Sequence, residues 1–131
     1  MNPETLVREY KDTFERLDEI ISNFQHGTYG PNDVDAFMKE LAGIYASLNN
    51  RVTDLEVDRL GIEAIYGAKR KEELEAMGKV SMTQLDRELQ WYTIEHTKAI
   101  RLFQGRLDSS DKLISICQSS LKSLDRERRL P

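Results

Sequence analysis

His96, Ile100, Phe103, Leu107, Ser110, Ile114, Cys117, Leu121 and Leu124 recur at alternating steps of four and three residues. A 3.5-residue period held over about four heptads is the seam of a coiled coil, a pattern that strands and loops do not produce. It runs upstream through Thr93 to Leu89 and blurs at Leu85 and Tyr92. One helix is therefore predicted over 81–129, opening at an N-cap on Ser81. A seam that continues to the end of the chain needs a helical partner and is most simply buried by copies of itself. Ile100, Phe103, Leu107, Ile114, Cys117, Leu121 and Leu124 are thus the expected oligomer interface.

Two shorter helices precede it. Asn2 caps the first and Pro3 occupies its first turn, where the missing N–H costs nothing. Leu6, Tyr10, Phe14, Leu17, Ile21 and Phe24 then lay one apolar stripe along a single helix. Two glycines and a proline within His26–Pro31 turn the chain. Asn32 or Asp33 caps a second helix with a stripe through Val34, Leu41, Leu48, Val52, Leu55, Ile62 and Tyr66. Gly61 and Gly67 weaken its end, so the charged residues after Gly67 can fray, kink or continue the helix, before Gly78 closes the segment. With 3 Pro, 7 Gly and 39% hydrophobic residues in 131, the expected fold is all-α. It is an elongated helical bundle in one unit, with helical arms over 1–78 and an oligomerising helix over 81–129.

Chemistry is hard to find. Only His26 and His96 are present, far apart, so no local histidine metal motif assembles. Walker, Gly-x-Gly-x-x-Gly, calcium-loop and Gly-x-Ser-x-Gly strings are missing, and neither an enzyme nor a cofactor is expected. The single cysteine, Cys117, excludes a disulfide framework and falls on the seam, where it reads as a small buried hydrophobe. His96 and Ser110 share that seam, either setting its register or simply satisfied at a helix crossing. No secretory or membrane-spanning segment is evident, which makes a reducing, cytoplasmic location the expectation, that of the host cell if the chain is phage-encoded.

Charge placement says more than charge total. Residues 98–131 carry eight basic and four acidic side chains, net +4 in a chain of net −4, so residues 1–97 carry −8. With the seam fixed from apolar residues alone, seven of the nine basic residues on the third helix fall on the opposite face: Arg87, Lys98, Arg101, Lys112, Lys122, Arg126 and Arg129. An even spread would put roughly two or three there. Trp91, the only tryptophan, lies on the same face. Cations that meet phosphates and a flat ring that stacks on bases are what single-stranded nucleic acid binding requires. The competing expectation is that Trp91 packs under another helix while the cations solubilise an outer face.

Leu48, Val52, Leu55-Glu56 and Ile65 leading to Tyr66-Gly67, then Leu89, Trp91-Tyr92, Ile116-Cys117 and Leu121 on a long helix, give the chain an organisation over residues 41–128 that resembles the phage UvsY-type recombination mediators. The resemblance implies a ring-like homo-oligomer that binds single-stranded DNA without sequence preference and contacts a RecA-like recombinase and a single-strand binding protein. Lys69, Arg70 and Lys71, just after the Tyr-Gly, would then supply a displaced basic patch. The expected function is a non-enzymatic single-stranded DNA-binding accessory of recombination or replication. The alternative is a helical adaptor, scaffold or small inhibitor that uses its acidic first helices and binds no nucleic acid.

Overall fold

In a computed structural model, which describes residues 1–27, 29–78 and 81–129 apart from the side chains of residues 128 and 129, every regular element is an α-helix. They are α1 (Pro3–Glu9), α2 (Lys11–His26), α3 (Pro31–Ala76), α4 (Met82–Tyr92) and α5 (Ile94–Arg129). Among the described residues no helix is long and apolar enough to cross a membrane.

The helix starts follow from capping chemistry. Asn2 Oδ1 accepts the Thr5 N–H at 3.2 Å, and Ser81 Oγ accepts the Gln84 N–H at 3.3 Å. α3 opens at Pro31, earlier than caps at Asn32 or Asp33 would allow. Gly30 is its N-cap, with its N–H donating to Asp33 Oδ2 at 2.7 Å. Gly27 ends α2 in the left-handed region at φ 66°, and Gly78 sits at φ 68° beyond α3. Thr28, also in the expected turn, lies outside the described residues.

Two expected helices are each divided by one residue. The stripe from Leu6 to Phe24 does not ride a single helix, because Tyr10 sits at φ −93°, ψ 7° between α1 and α2. Its N–H is shared between Leu6 O at 3.3 Å and Val7 O at 3.2 Å, a locally tightened turn. Its ring lies edge-on to Phe103 at 5.1 Å and its hydroxyl is 2.7 Å from Ser47 Oγ. With the helix interrupted there, the fully buried isoleucine is Ile20, and Ile21 is half-buried. The expected single helix over 81–129 likewise becomes α4 and α5, joined at Thr93 with φ −105°, ψ 20°. Backbone bonds continue through the joint, from Thr93 N–H to Leu89 O and from Thr97 N–H to Thr93 O. The Thr93 hydroxyl is drawn both to Leu89 O at 2.9 Å and to Glu63 Oε1 at 3.2 Å, a side-chain competitor for the local backbone.

α3 has the opposite outcome. Its 46 residues run uninterrupted through Gly61, Gly67 and the charged stretch after them, a length of about 69 Å at 1.5 Å per residue. Each glycine costs about 1 kcal/mol in a helix interior, yet α3 runs through both; at Gly67 the Leu89 methyls of α4 lie 3.5 and 3.6 Å from where a Cβ would be, and at Gly61 nothing lies within 4 Å.

Cross-helix pairs fix the directions. Asp58 with His96, Glu63 with Thr93, Tyr66 with Tyr92 and Arg70 with Glu88 make α3 antiparallel to the returning α4 and α5. Tyr10 with Ser47, Arg16 with Glu40 and Phe24 with Phe37 make α2 antiparallel to α3. Two clusters of buried side chains follow. One joins Leu6, Phe14, Leu48, Val52, Leu55, Ala99, Phe103 and Leu107, and the other joins Leu17, Ile20, Val34, Leu41, Leu113 and Cys117.

The seam expected to meet other copies of the chain is therefore covered from within. Phe103, Leu107 and Cys117 are buried against α1, α2 and α3, while Ile100, Ile114 and Leu121 are half-buried against the same clusters. Leu124 is half-buried beside Pro31. Ala99 and Leu113 join them in the core, which widens the stripe beyond two positions per heptad. A helix facing two neighbours needs that wider stripe; a two-helix seam does not.

Pro3 lies level with Glu95 and Ala99 of α5. Past that point α3 and α4 continue as an arm, in which Leu74 and Leu85 are the buried apolar residues and Thr93 is buried at its base. Among the described residues, most of the exposed large apolar side chains are on this arm or at its root: Val57, Leu60, Ile65, Met77, Met82, Trp91 and Tyr92. Two helices cannot cover each other on all sides.

Candidate nucleic-acid interface

The basic positions read from the heptad lie on the outer face of α4 and α5. Arg87, Lys98, Arg101, Lys112, Lys122 and Arg126 are all exposed. The side chain of Arg129 lies outside the described residues. From Arg87 to Arg126 the track is about 58 Å long at 1.5 Å per residue. Of these cations, Lys98 meets an acid among the described residues, Glu95 Oε1 at 3.4 Å, a weak surface pair. Of the two basic residues of α5 that the heptad placed elsewhere, Arg106 is structural and the side chain of Arg128 lies outside the described residues. Arg106 pairs with Asp18 of α2 and its guanidinium lies 5.2 Å from the Phe14 ring.

Trp91 is 77% exposed and does not pack under α1 or α2. Its neighbour Tyr92 stacks on Tyr66 across the arm, with ring centroids 4.1 Å apart and planes 11° from parallel. That stack holds α4 against α3, and the indole of Trp91 stays uncovered beside it.

The patch after Tyr66-Gly67 divides. Lys69 and Lys71 are exposed. Arg70 is not a free cation, contrary to its expected role: it donates to Glu88 at 2.7 Å and to Glu73 at 3.1 Å. Those bonds, Glu88 first, raise its pKa further above the usual arginine value. Glu88 is lowered correspondingly, chiefly by Arg70 and then by Gln84. An antiparallel return of the chain brings Glu88 opposite Arg70, a partnership invisible in a linear string.

The polar residues of the seam are satisfied. His96 Nε2 lies 2.6 Å from Asp58 Oδ2, and the Ser110 hydroxyl donates to Arg106 O at 2.9 Å. Cys117 is fully buried, and burial pushes its thiol up, which disfavours the reactive thiolate. Among the described residues there is no cluster of His, Cys, Asp and Glu that could hold a metal ion. One cation escaped the reading of the third helix because it belongs to another element. Arg59 of α3 lines a groove together with Arg101, and antiparallel pairing alone would have found it. Compared with known protein families, with characterised proteins and with solved structures, the chain matches none.

Proposed function

We propose that this protein is a non-enzymatic accessory of recombination or replication that binds single-stranded DNA along the outer face of α4 and α5. The observation that carries the reading is the exposure of Trp91 in line with Arg87, Lys98 and Arg101. Cations take phosphates and release counterions, and an uncovered indole stacks on bases of any sequence. In the form that follows the UvsY-type resemblance, the protein helps a RecA-like recombinase onto strands held by a single-strand binding protein. Several copies acting together would multiply weak tracks into useful avidity. Since side chains of α1, α2 and α3 pack on the seam, copies would meet through the arm and its root, where Val57, Leu60 and Ile65 are exposed.

A single tryptophan makes the test direct. Oligothymidylate titrated at low and moderate salt should quench Trp91 fluorescence, with duplex of equal length far less effective. Absence of quenching and of anisotropy change at low salt would discard the proposal. The apolar arm specifically favours a second reading, a helical adaptor that docks a protein partner there. Under that reading the protein ignores DNA, and Ile65→Ser abolishes partner capture.

A further inference from the structure

A groove of about 380 Å³ lies where α3 meets the joint between α4 and α5, with Arg59 and Glu63 contributed by α3 and Gln90, Thr93, Thr97 and Arg101 by the returning helices. Arg59 has an unmet donor. Its Nε is buried without a hydrogen-bond partner, and the nearest carboxylate oxygen, Glu63 Oε1, is 3.9 Å away. Glu63 is itself engaged, accepting from the Thr93 hydroxyl at 3.2 Å. Arg51 Nε, outside the groove, is unpartnered in the same way, and a covered Nε does not itself meet a ligand; what faces the groove is the exposed remainder of the Arg59 side chain, 28% accessible. Arg101, exposed on α5 and one turn from Lys98, brings a second guanidinium to the same groove.

Resting on the single-strand function proposed above, we infer that this groove seats one phosphodiester of the bound strand between Arg59 and Arg101, with Glu63 as a built-in brake. Two planar guanidinium forks from two helices suit a tetrahedral anion with several oxygens better than a single carboxylate. Gln90 adds an amide donor. The binding track thereby leaves α5 and crosses onto α3 through Lys98, Arg101 and Arg59. The Glu63 carboxylate opposes the incoming anion and holds Arg59 only loosely, so it tunes affinity downward without forming part of the track.

The test compares variants of the full chain in anisotropy titrations with labelled oligothymidylate across a salt series. Arg59→Gln should weaken binding about ten-fold, as expected for one charge-assisted contact, and lower the slope of log K against log salt by about 0.7 for one phosphate lost from a single strand. Arg101→Gln should match it. Glu63→Gln should tighten binding, an outcome that a purely structural role for this pair does not produce. Arg59→Lys, a point charge without the fork, should recover part of the loss. If Arg59→Gln binds like the parent while Arg101→Gln is weakened, the seat is refuted and the α5 track stands. If the parent protein does not bind at low salt, both fall. Thermal unfolding of each variant guards against misfolding. Should Arg59→Gln unfold, Glu63→Gln decides alone, and an unchanged affinity there overturns the seat.

Discussion

Phe103 shows how one side chain can organise the interior. It is wholly buried, with the Tyr10 and Phe14 rings edge-on to it at 5.1 and 5.4 Å. Removing it empties a site shared by α1, α2, α3 and α5, and Phe103→Ala should cost about 3–5 kcal/mol in urea unfolding. Lys112→Gln, on the exposed track, should stay within about 0.5 kcal/mol. The contrast separates the two faces of one helix by stability alone. Cys117 belongs with Phe103: its raised thiol pKa and complete burial predict slow modification by a disulfide reagent in the native protein and rapid modification in denaturant. Fast native labelling would show that α2 and α3 do not cover it.

At the scale of elements, α3 is continuous where its sequence gives reason to stop. A Cβ added at Gly61 would meet nothing within 4 Å, so Gly61→Ala should raise stability by about 0.5–1 kcal/mol, readable as a higher Tm. The arm it leads into is held differently from the body, by Leu74 and Leu85, the Tyr66–Tyr92 stack and the pair of Arg70 with Glu88. Glu88 has a folded-state pKa below that of a free glutamate, because Arg70 bonds to the ionised form. Its contribution is therefore complete above the free value, about 4.3, and disappears as pH falls through the lowered value. Amide exchange in α4 should accelerate below about pH 4, before exchange around Phe103 does. Arg70→Gln should remove that pH dependence. Equal protection of arm and body across the acid range would contradict the weaker hold assigned to the arm.

For the whole molecule the decisive fact is where the 3.5-residue seam spends its apolar surface. Ile114 and Leu121 pack against residues of α2 and α3, so Ile114→Asn should lower the unfolding midpoint by an amount equivalent to about 2 kcal/mol, a typical core penalty. It should not first change the mass seen in light scattering. Ile65, 76% exposed on the arm, should behave in the reverse way. Ile65→Ser should leave stability within about 0.5 kcal/mol and reduce any association between copies.

What the sequence by itself determined is local and periodic. The all-helical class, the N-caps at Asn2 and Ser81, the turn at Gly27, the Gly78 stop and the apolar identity of the seam follow from capping and spacing, which act within a few turns. The outward aspect of Arg87, Trp91, Lys98 and Arg101 was legible for the same reason, since opposite faces of a helix are fixed once one face is assigned. Only the tertiary structure decided who covers the seam, because a heptad states that a neighbour is needed and not which one. It also decided the interruptions at Tyr10 and Thr93, where hydroxyls reach Ser47 and Glu63 on α3. The capture of Arg70 by Glu88 and the meeting of Arg59 with Arg101 likewise depend on antiparallel return. These are contacts between residues far apart in the chain, and they exist only after the helices have chosen their neighbours.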